Sequence, residues 1–199
     1  GGYNHYRGNH FGRIIWAQHL GSVAPDHEWY RNRGDKKDLN SYIRGSYELT
    51  RAFRLYGDLQ LRHIRYSIVG IDDDLRNLGQ QHTYLFFNPR AGIHYQFNPH
   101  SGLYISFART HREPNRDNFT DTPPGARLPD SEQLNDLEGG WNFSSPGFMA
   151  GVNLYHMFYH NQLVLTGLIN DVGAPVMTNV EKSSRTGVEL IWGLKATPT

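Results

Sequence analysis

The sequence predicts an all-β fold, an antiparallel up-and-down transmembrane β-barrel, of which these 199 residues supply part. Two periodicities predict this fold: apolar and polar side chains alternate along strand-length segments, and short turns alternate with long polar connections. The composition agrees, because 12 Tyr and 10 Phe occur in a chain that is only 38% hydrophobic. Disordered chains are poor in aromatic residues, so this polar chain is expected to fold.

The clearest strand covers residues 53–62, where Phe and Leu occupy four of the five odd positions and Arg, Asp and Gln occupy four of the five even ones. Alternation with a period of two gives a strand one apolar face and one polar face, whereas a helix would spread the charges around its circumference. Similar alternation recurs near residues 39–49, 90–97, 103–108, 136–143, 148–155 and 188–195, and 12–18 is a further candidate. We therefore expect about seven to eight strands.

The connections between these segments fall into two classes. Short turns are expected at about residues 50–52, 98–102 and 144–147, and long polar loops at about 19–35, 69–81, 111–132 and 160–183. Barrels of bacterial outer membranes combine tight periplasmic turns with long outer loops. A soluble meander has no reason to place every long loop at one end, so the pattern favours the membrane barrel.

The two strand faces predict two environments. In a wide barrel the apolar face contacts lipid and the charged face lines the lumen. Aromatic side chains also gather near the short turns, as in an interfacial girdle, at Tyr47, Phe53, Phe97, Phe143 and Phe148. Two alternatives remain open: a complete small barrel, porin-like or a hydrolase, and a soluble β-sandwich with binding activity of the lectin type.

Composition excludes several functions. The formal net charge of +1 argues against a nucleic-acid partner, and the absence of Cys excludes disulfides, thiolate metal sites and Cys nucleophiles. No segment reaches the roughly 18–20 consecutive apolar residues of a membrane helix. No Gly-x-Ser-x-Gly nucleophile elbow occurs either. We therefore predict no enzyme activity, no catalytic residues and no cofactor.

Two groups of residues invite a metal-site interpretation. Asp72, Asp73 and Asp74 could bind Ca²⁺ through oxygen ligands, but their spacing is not that of an EF-hand loop. His156 and His160 would lie about 13 Å apart in a strand. We therefore predict no metal site and interpret the three aspartates as part of a solvated outer loop.

The segment from Arg112 to Asp117 alternates charges around Pro114, whose ring fixes φ. Its Arg and Asn side chains could contact an anionic or polyol ligand, or the segment could form a salt-bridged brace where a strand leaves the membrane. We favour the brace. The candidate ligand-contact residues in the outer loops and at the rim are Tyr66, Asp72, Asp73, Asp74, Arg112, Asn115, Arg116 and Asp117.

Residues 106–119, SFARTHREPNRDNF, form the most distinctive segment of the chain. This segment resembles a stretch that TonB-dependent outer-membrane receptors carry where a strand of their β-barrel passes into a long outer loop. Weaker matches occur at 30–40, 55–62, 87–92 and 187–190. The resemblance covers nearly all 199 residues but only part of a barrel of about 22 strands.

The resemblance implies a receptor of the bacterial outer membrane that imports a scarce nutrient, such as a ferric siderophore, haem, cobalamin or an oligosaccharide. It implies as partners the lipid bilayer, a small-molecule or glycan ligand, and TonB, which acts through a plug domain. A surface lipoprotein is a further partner to be considered. Neither the plug domain, nor the TonB box, nor the family's C-terminal aromatic is matched here, so we expect a segment from the second half of the barrel.

Overall fold

The computed structural model describes residues 1–19, 21–170 and 173–196, and it contains eight strands and one short helix. No helix among these residues is long and apolar enough to cross a membrane. The elements are β1 (Gly2–Arg13), β2 (Glu28–Glu48), β3 (Phe53–Gly70), β4 (Gln80–Asn98), β5 (Ser101–Arg112), α1 (Arg116–Thr120), β6 (Glu132–Ser144), β7 (Phe148–Ile169) and β8 (Pro175–Leu194).

All eight strands lie in one antiparallel sheet, and each strand pairs with its neighbours in the sequence. This is the up-and-down order that the alternating turns predict. Among the described residues, β1 pairs with β2 alone and β8 with β7 alone, so the sheet has two open edges. No second sheet lies against it within the described ranges, which differs from a sandwich.

The alternation of side chains divides the sheet into two faces. We call the face that carries Leu59 and Leu61 of β3 the leucine face, and the opposite one, which carries Asp58 and Arg62, the arginine face. Because cross-strand partners share a face, the register extends the leucine face over all strands. Its exposed apolar side chains include Tyr3, Leu39, Ile43, Leu85, Phe87, Ile105, Phe107, Leu137, Leu154, Val188, Leu190 and Trp192.

The apolar band on the leucine face runs obliquely to the strands. We follow the edge of the band that lies nearer the long connections, and call that direction up. On β2 the last apolar side chain at this edge is Leu39, whose cross-strand partner on β3 is His63. On β8 it is Val188, which the cross-strand partners place level with Leu55 of β3. The edge therefore moves eight residues along β3 over six strand spacings. At about 3.3 Å per residue and about 4.8 Å per strand, the strands tilt by about 40° from the perpendicular to this edge.

Above the band, polar side chains lie on the leucine face of β3 and apolar side chains lie on its arginine face. His63 and Arg65 follow Leu61 on the leucine face, while Ile64, Tyr66 and Ile68 follow Arg62 on the arginine face. The three apolar side chains are buried, at 0%, 6% and 0% exposure. Between Arg62 and the end of β3, the arginine face is therefore apolar and buried, although the same face is charged between Arg54 and Arg62.

The connection between β5 and β6 covers this apolar part of the arginine face. Phe119, 2% exposed, packs with Tyr66, Ile68 and Leu78 in the buried cluster, and its ring stacks on His82 at 4.1 Å between centroids. The core of this chain therefore lies between the long connection and the upper ends of β3 and β4.

The observed connections correct several predicted loop bounds. β2 begins at Glu28, so residues 28–35 of the predicted loop 19–35 are strand. The predicted loop at 160–183 is wrong over most of its length, because β7 continues to Ile169 and β8 begins at Pro175. Polar residues suggested a loop, but apolar and β-branched side chains in this region pair across the strands, as in Val164 with Thr178. Residues 20, 171 and 172, within two predicted loops, lie outside the described residues.

The other connections fall near their predicted positions. Residues 71–79 join β3 to β4 and residues 113–131 join β5 to β6, each about two residues inside the predicted limits at either end. The short turns comprise 49–52, 99–100 and 145–147. The structure places all three short turns at one end of the sheet, since each follows an even-numbered strand of an antiparallel series.

Candidate functional site

Helix α1 is short and is fixed by reciprocal capping. The Asn115 side-chain oxygen accepts the Asn118 backbone N–H at 2.8 Å, and the Asn118 side-chain oxygen accepts the Asn115 N–H at 2.9 Å. This capping box satisfies N–H groups that the first helical turn leaves free. The buried Pro114 precedes the cap, and the helix directs Phe119 onto the sheet.

Glu113 anchors the start of the same connection to the arginine face. It is 8% exposed, and its two carboxylate oxygens accept from Lys36 at 2.6 Å and from Arg62 at 2.8 Å. Arg62 also donates to Asp38, with 3.0 Å between Nε and Oδ2. A buried carboxylate is tolerated when cations and hydrogen bonds compensate it, so this network ties the connection to both β2 and β3.

A second junction joins α1 to β2 and to the connection 71–79. Arg116 donates to the Asn32 side-chain oxygen at 3.0 Å and to Asp72 at 3.3 Å, and the Asn32 amide donates to Asp72 at 3.2 Å. Asn32 is 1% exposed. Gly70 ends β3 here with φ +118°, where a Cβ would overlap the Arg31 carbonyl, so glycine is required.

Arg76 forms the third junction. Its guanidinium donates to the backbone carbonyls of Thr120 and Thr122, the latter at 2.7 Å, and lies 3.4 Å from the Asp74 carboxylate. Carbonyls at the end of a helix lack partners within the helix, and a cation satisfies them well. The two connections, 71–79 and 113–131, therefore form one joined assembly over the arginine face.

Acidic side chains concentrate at the edge of this assembly. The carboxylates of Asp72, Asp73 and Asp74 approach within 4.8 Å of one another, and Asp72 is already paired with Arg116. Burial raises the pKa of Asp72, and the nearby charge of Asp73 adds to the shift while Arg116 opposes it. A cavity of about 380 Å³ is lined by these three aspartates and by Asp121. Burial raises the pKa of Asp121 as well.

A polar groove of about 480 Å³ opens beside the assembly on the arginine face. Arg112 lines it and pairs with Glu132 at 2.5 Å, and Glu132 also accepts the Leu163 N–H. On the far wall, the Arg185 guanidinium lies 5.0 Å from the Tyr159 ring centroid and donates to its hydroxyl at 3.3 Å. Within the described residues, no carboxylate forms an ion pair with Arg185. The groove thus offers an uncompensated cation beside an aromatic ring.

Four of the predicted ligand-contact residues have structural partners. Tyr66 is buried beneath Phe119, Asn115 caps α1, and Arg116 and Asp72 form the second junction. The ion pairs that the brace interpretation requires are therefore present at Arg116, although the strongest anchor of the motif is Glu113.

The other four predicted residues are more accessible. Asp73 and Asp74 are exposed in the connection 71–79, Asp117 is exposed on α1, and Arg112 lies at the groove. The structure therefore does not bring all eight residues to one surface but divides them between the joined connections and the groove.

Sequence reasoning missed the network around Glu113 and the pair formed by Arg185 and Tyr159. Lys36 and Arg62 both lie on the arginine face, where their cross-strand partners are Tyr66 and Asn40. The available signal in the sequence was the carboxylate of Glu113 directly before Pro114. The groove is formed by parts of β5 to β8 that extend past the predicted ends of these strands. The sequence pattern did not predict this extension.

The fold and site define this chain as an eight-stranded length of antiparallel barrel wall, with one charged face and two joined connections over that face. The chain belongs to the TonB-dependent receptor family, since the family model described as "TonB dependent receptor-like, beta-barrel" matches residues 1–199. This family comprises receptors and transporters of the bacterial outer membrane and is not a class of enzymes. No curated protein sequence matches the chain.

Similar solved structures agree on the fold. The ferric-catecholate import receptor Fiu of E. coli, in its closed form, is 16% identical with a TM-score of 0.64, over 98% of this chain and 32% of Fiu. The ferric yersiniabactin uptake receptor FyuA of Yersinia pestis is 15% identical with a TM-score of 0.62, over 87% and 27%. The alcaligin outer membrane receptor FauA of Bordetella pertussis is 13% identical with a TM-score of 0.60, over 84% and 29%. The chain thus spans less than a third of each of these structures.

Proposed function

We propose that this chain is part of the barrel wall of an outer-membrane receptor that imports a scarce nutrient: a ferric siderophore, haem, cobalamin or an oligosaccharide. The observation that carries the proposal is the oblique apolar band, because strands that tilt by about 40° from the perpendicular to its edge match the tilt of about 35–45° in membrane barrels. The leucine face then contacts hydrocarbon and the arginine face lines the lumen. The wall performs no chemistry, so no catalytic residue is proposed.

The alternatives fit the sheet less well. A complete eight-stranded barrel would pair β1 with β8, whereas among the described residues both edges are open. Open edges in hydrocarbon cost several kcal/mol for each unsatisfied group, which supports further strands beyond this segment. A soluble sandwich would cover the leucine face with a second sheet, and Leu190 and Trp192 are instead 73% and 76% exposed.

The ligand would meet the chain at the open end of the lumen. Arg112, Arg185 and Tyr159 present two guanidinium groups and a phenol at the polar groove, which suits an anionic or polyol ligand. The predicted residues Asp73, Asp74, Asn115 and Asp117 remain candidates on the exposed side of the joined connections. Tyr66, Asp72 and Arg116 would contribute by holding those connections in place.

Import requires partners beyond this chain. We propose that TonB supplies energy through the plug domain of the full-length protein and that the bilayer surrounds the leucine face. A surface lipoprotein that delivers the ligand is a further proposed partner. The similar receptors named above import or bind ferric catecholates, ferric yersiniabactin and alcaligin, which supports a metal chelate as the first ligand class to test.

Growth of a deletion strain tests the proposal. We expect the strain to fail on one iron, vitamin or glycan source and to recover with the full-length gene, but not when TonB is also absent. The Arg112→Gln/Arg185→Gln variant should lower uptake at least tenfold at limiting ligand, because each charged hydrogen bond contributes about 1.5–3 kcal/mol. Arg54→Gln, whose exposed pair with Glu48 lies near the short turns, is the control. Normal growth on every source would contradict the proposal.

A further inference from the structure

Two cations face each other on the leucine face just above the apolar band. Lys37 of β2 and Arg65 of β3 are direct cross-strand partners, and both side chains are exposed. Like charges placed directly opposite each other in a sheet destabilise it. An anion supplied from outside the sheet would relieve this repulsion.

The surrounding side chains do not supply that anion. Asp35 lies on the next level of this face, but it is paired with Arg7 at 2.8 Å and with His5 at 3.1 Å. Throughout residues 1–19, 21–170 and 173–196, no carboxylate approaches Lys37 or Arg65 within 4.0 Å. The two cations are thus uncompensated, whereas their neighbour Arg7 is not.

The position of the cations at the edge of the apolar band identifies the anion. Leu39, 50% exposed, lies two residues from Lys37 on the same face. Its cross-strand partner on β3 is His63, and the partner of His63 on β4 is Leu85, 67% exposed. An anion that contacts Lys37 and Arg65 therefore sits directly above a surface that suits hydrocarbon. Phosphate groups at the boundary between headgroups and acyl chains occupy this position in a membrane, and basic clusters there bind anionic lipids.

We propose that Lys37 and Arg65 bind the phosphate of an anionic, phosphorylated lipid in the outer leaflet, with its acyl chains against Leu39, Leu61 and Leu85. Both side chains can reach one phosphate, because directly opposed residues have their Cβ atoms about 4.5–5.5 Å apart. Arg33, whose guanidinium contacts only the Asn9 side-chain oxygen among described partners, offers a further donor higher on the same face. The inference rests on the proposed placement of the leucine face in hydrocarbon.

Among the described residues of β5 to β8, no pair of cations occupies an equivalent position on the leucine face. Above the band on β5, Arg109 donates to its cross-strand partner Asn135 at 2.8 Å, and the partners beyond it on this level are Phe158 and Ser184. No second cation opposes Arg109 there. Arg109 therefore provides a matched control: the same charge, the same face and a similar height above the band.

Lipid binding by the purified full-length protein in neutral detergent tests the proposal. The probe is bisphosphorylated lipid A, with dephosphorylated lipid A and inorganic phosphate as comparisons, and native mass spectrometry measures the bound fraction. Lys37→Gln/Arg65→Gln should weaken lipid A binding about 30-fold, since each cation at an anionic lipid surface changes the affinity about fivefold. Arg109→Gln should change it less than twofold. Dephosphorylated lipid A should bind the unmodified protein as weakly as lipid A binds the double variant.

Folding is checked in the same samples. Without lipid, the double variant should melt at the same temperature as the unmodified protein or higher, because a like-charge pair is removed. Equal affinity of both proteins for lipid A would overturn the proposal, as would competition by millimolar inorganic phosphate, which would indicate a general anion site. The measurement requires no transport, so its outcome is independent of the growth experiment that tests nutrient import.

Discussion

The lower and upper parts of β3 contrast with each other in which face is apolar. From Phe53 to Arg62 the leucine face is apolar and exposed, and the arginine face is charged; from His63 to Gly70 the apolar side chains Ile64, Tyr66 and Ile68 are buried on the arginine face. One continuous strand thus changes the face that carries its apolar side chains without a break in its hydrogen bonding. The comparison teaches that the surroundings set the pattern: the packed connections cover the upper part on the arginine face, and in the proposed placement hydrocarbon covers the lower part on the leucine face.

The buried cluster should show the largest effect of a single substitution in the upper part. Phe119→Ala should lower the free energy of unfolding by about 3–5 kcal/mol, because Phe119 is 2% exposed between Tyr66 and His82 and its loss leaves a cavity. Denaturant titration in lipid vesicles measures the change, and hydrogen exchange should rise in residues 113–131. Phe119→Leu, which keeps most of the apolar volume, should lose less than about 1.5 kcal/mol. Equal losses for both variants would contradict packing as the cause.

A charge on the leucine face tests the lower part directly. Leu59→Arg should lower the free energy of unfolding in vesicles by about 2–4 kcal/mol, the cost of an Arg on the lipid face near the bilayer centre. Ser67→Arg places the same side chain on the same face of β3 above the band, where the cost should fall to about 0–1 kcal/mol. If both substitutions cost the same, the leucine face does not pass from hydrocarbon to water between Leu61 and His63.

The Glu113 network marks the level at which the arginine face changes from charged to apolar. Glu113→Gln should lower the free energy of unfolding by about 2 kcal/mol, since it leaves Lys36 and Arg62 without their shared anion. This value lies below that of a fully buried pair, because the two cations are 30% and 25% exposed. Glu48→Gln removes a carboxylate from an exposed pair with Arg54 and should cost less than about 0.5 kcal/mol.

The sequence alone was sufficient for the fold class and for the lower part of each strand, because a period of two is a local property of any strand whose two faces meet different surroundings. It did not locate the site, because contacts such as Glu113 with Arg62, or Arg116 with Asn32, join residues far apart in the chain. The region around Leu163 and Thr178 was also missed, since strands that extend beyond the apolar band carry mixed side chains without strict alternation.

The pH dependence of the joined connections gives the finest test of the upper part. Burial raises the pKa of Asp72 above its ordinary value, so folding favours the protonated form. Asp72 therefore stabilises the fold most below the pKa that it has in the unfolded chain, and this contribution is lost as the pH rises through the folded-state pKa.

Asp72→Asn keeps the oxygen that accepts from Asn32 and Arg116 and removes the titration. Relative to the unmodified protein, the variant should be more stable at pH 7.5 than at pH 4, by a difference on the order of 0.5 kcal/mol, comparable with a surface substitution. Thermal melting of the full-length protein at both pH values measures this difference. Asp73→Asn removes an exposed charge one residue away and serves as the control for a general charge effect. A variant that loses more stability at pH 7.5 than at pH 4 would contradict the prediction, because it would indicate that the ion pair of Asp72 with Arg116 outweighs the effect of burial on Asp72.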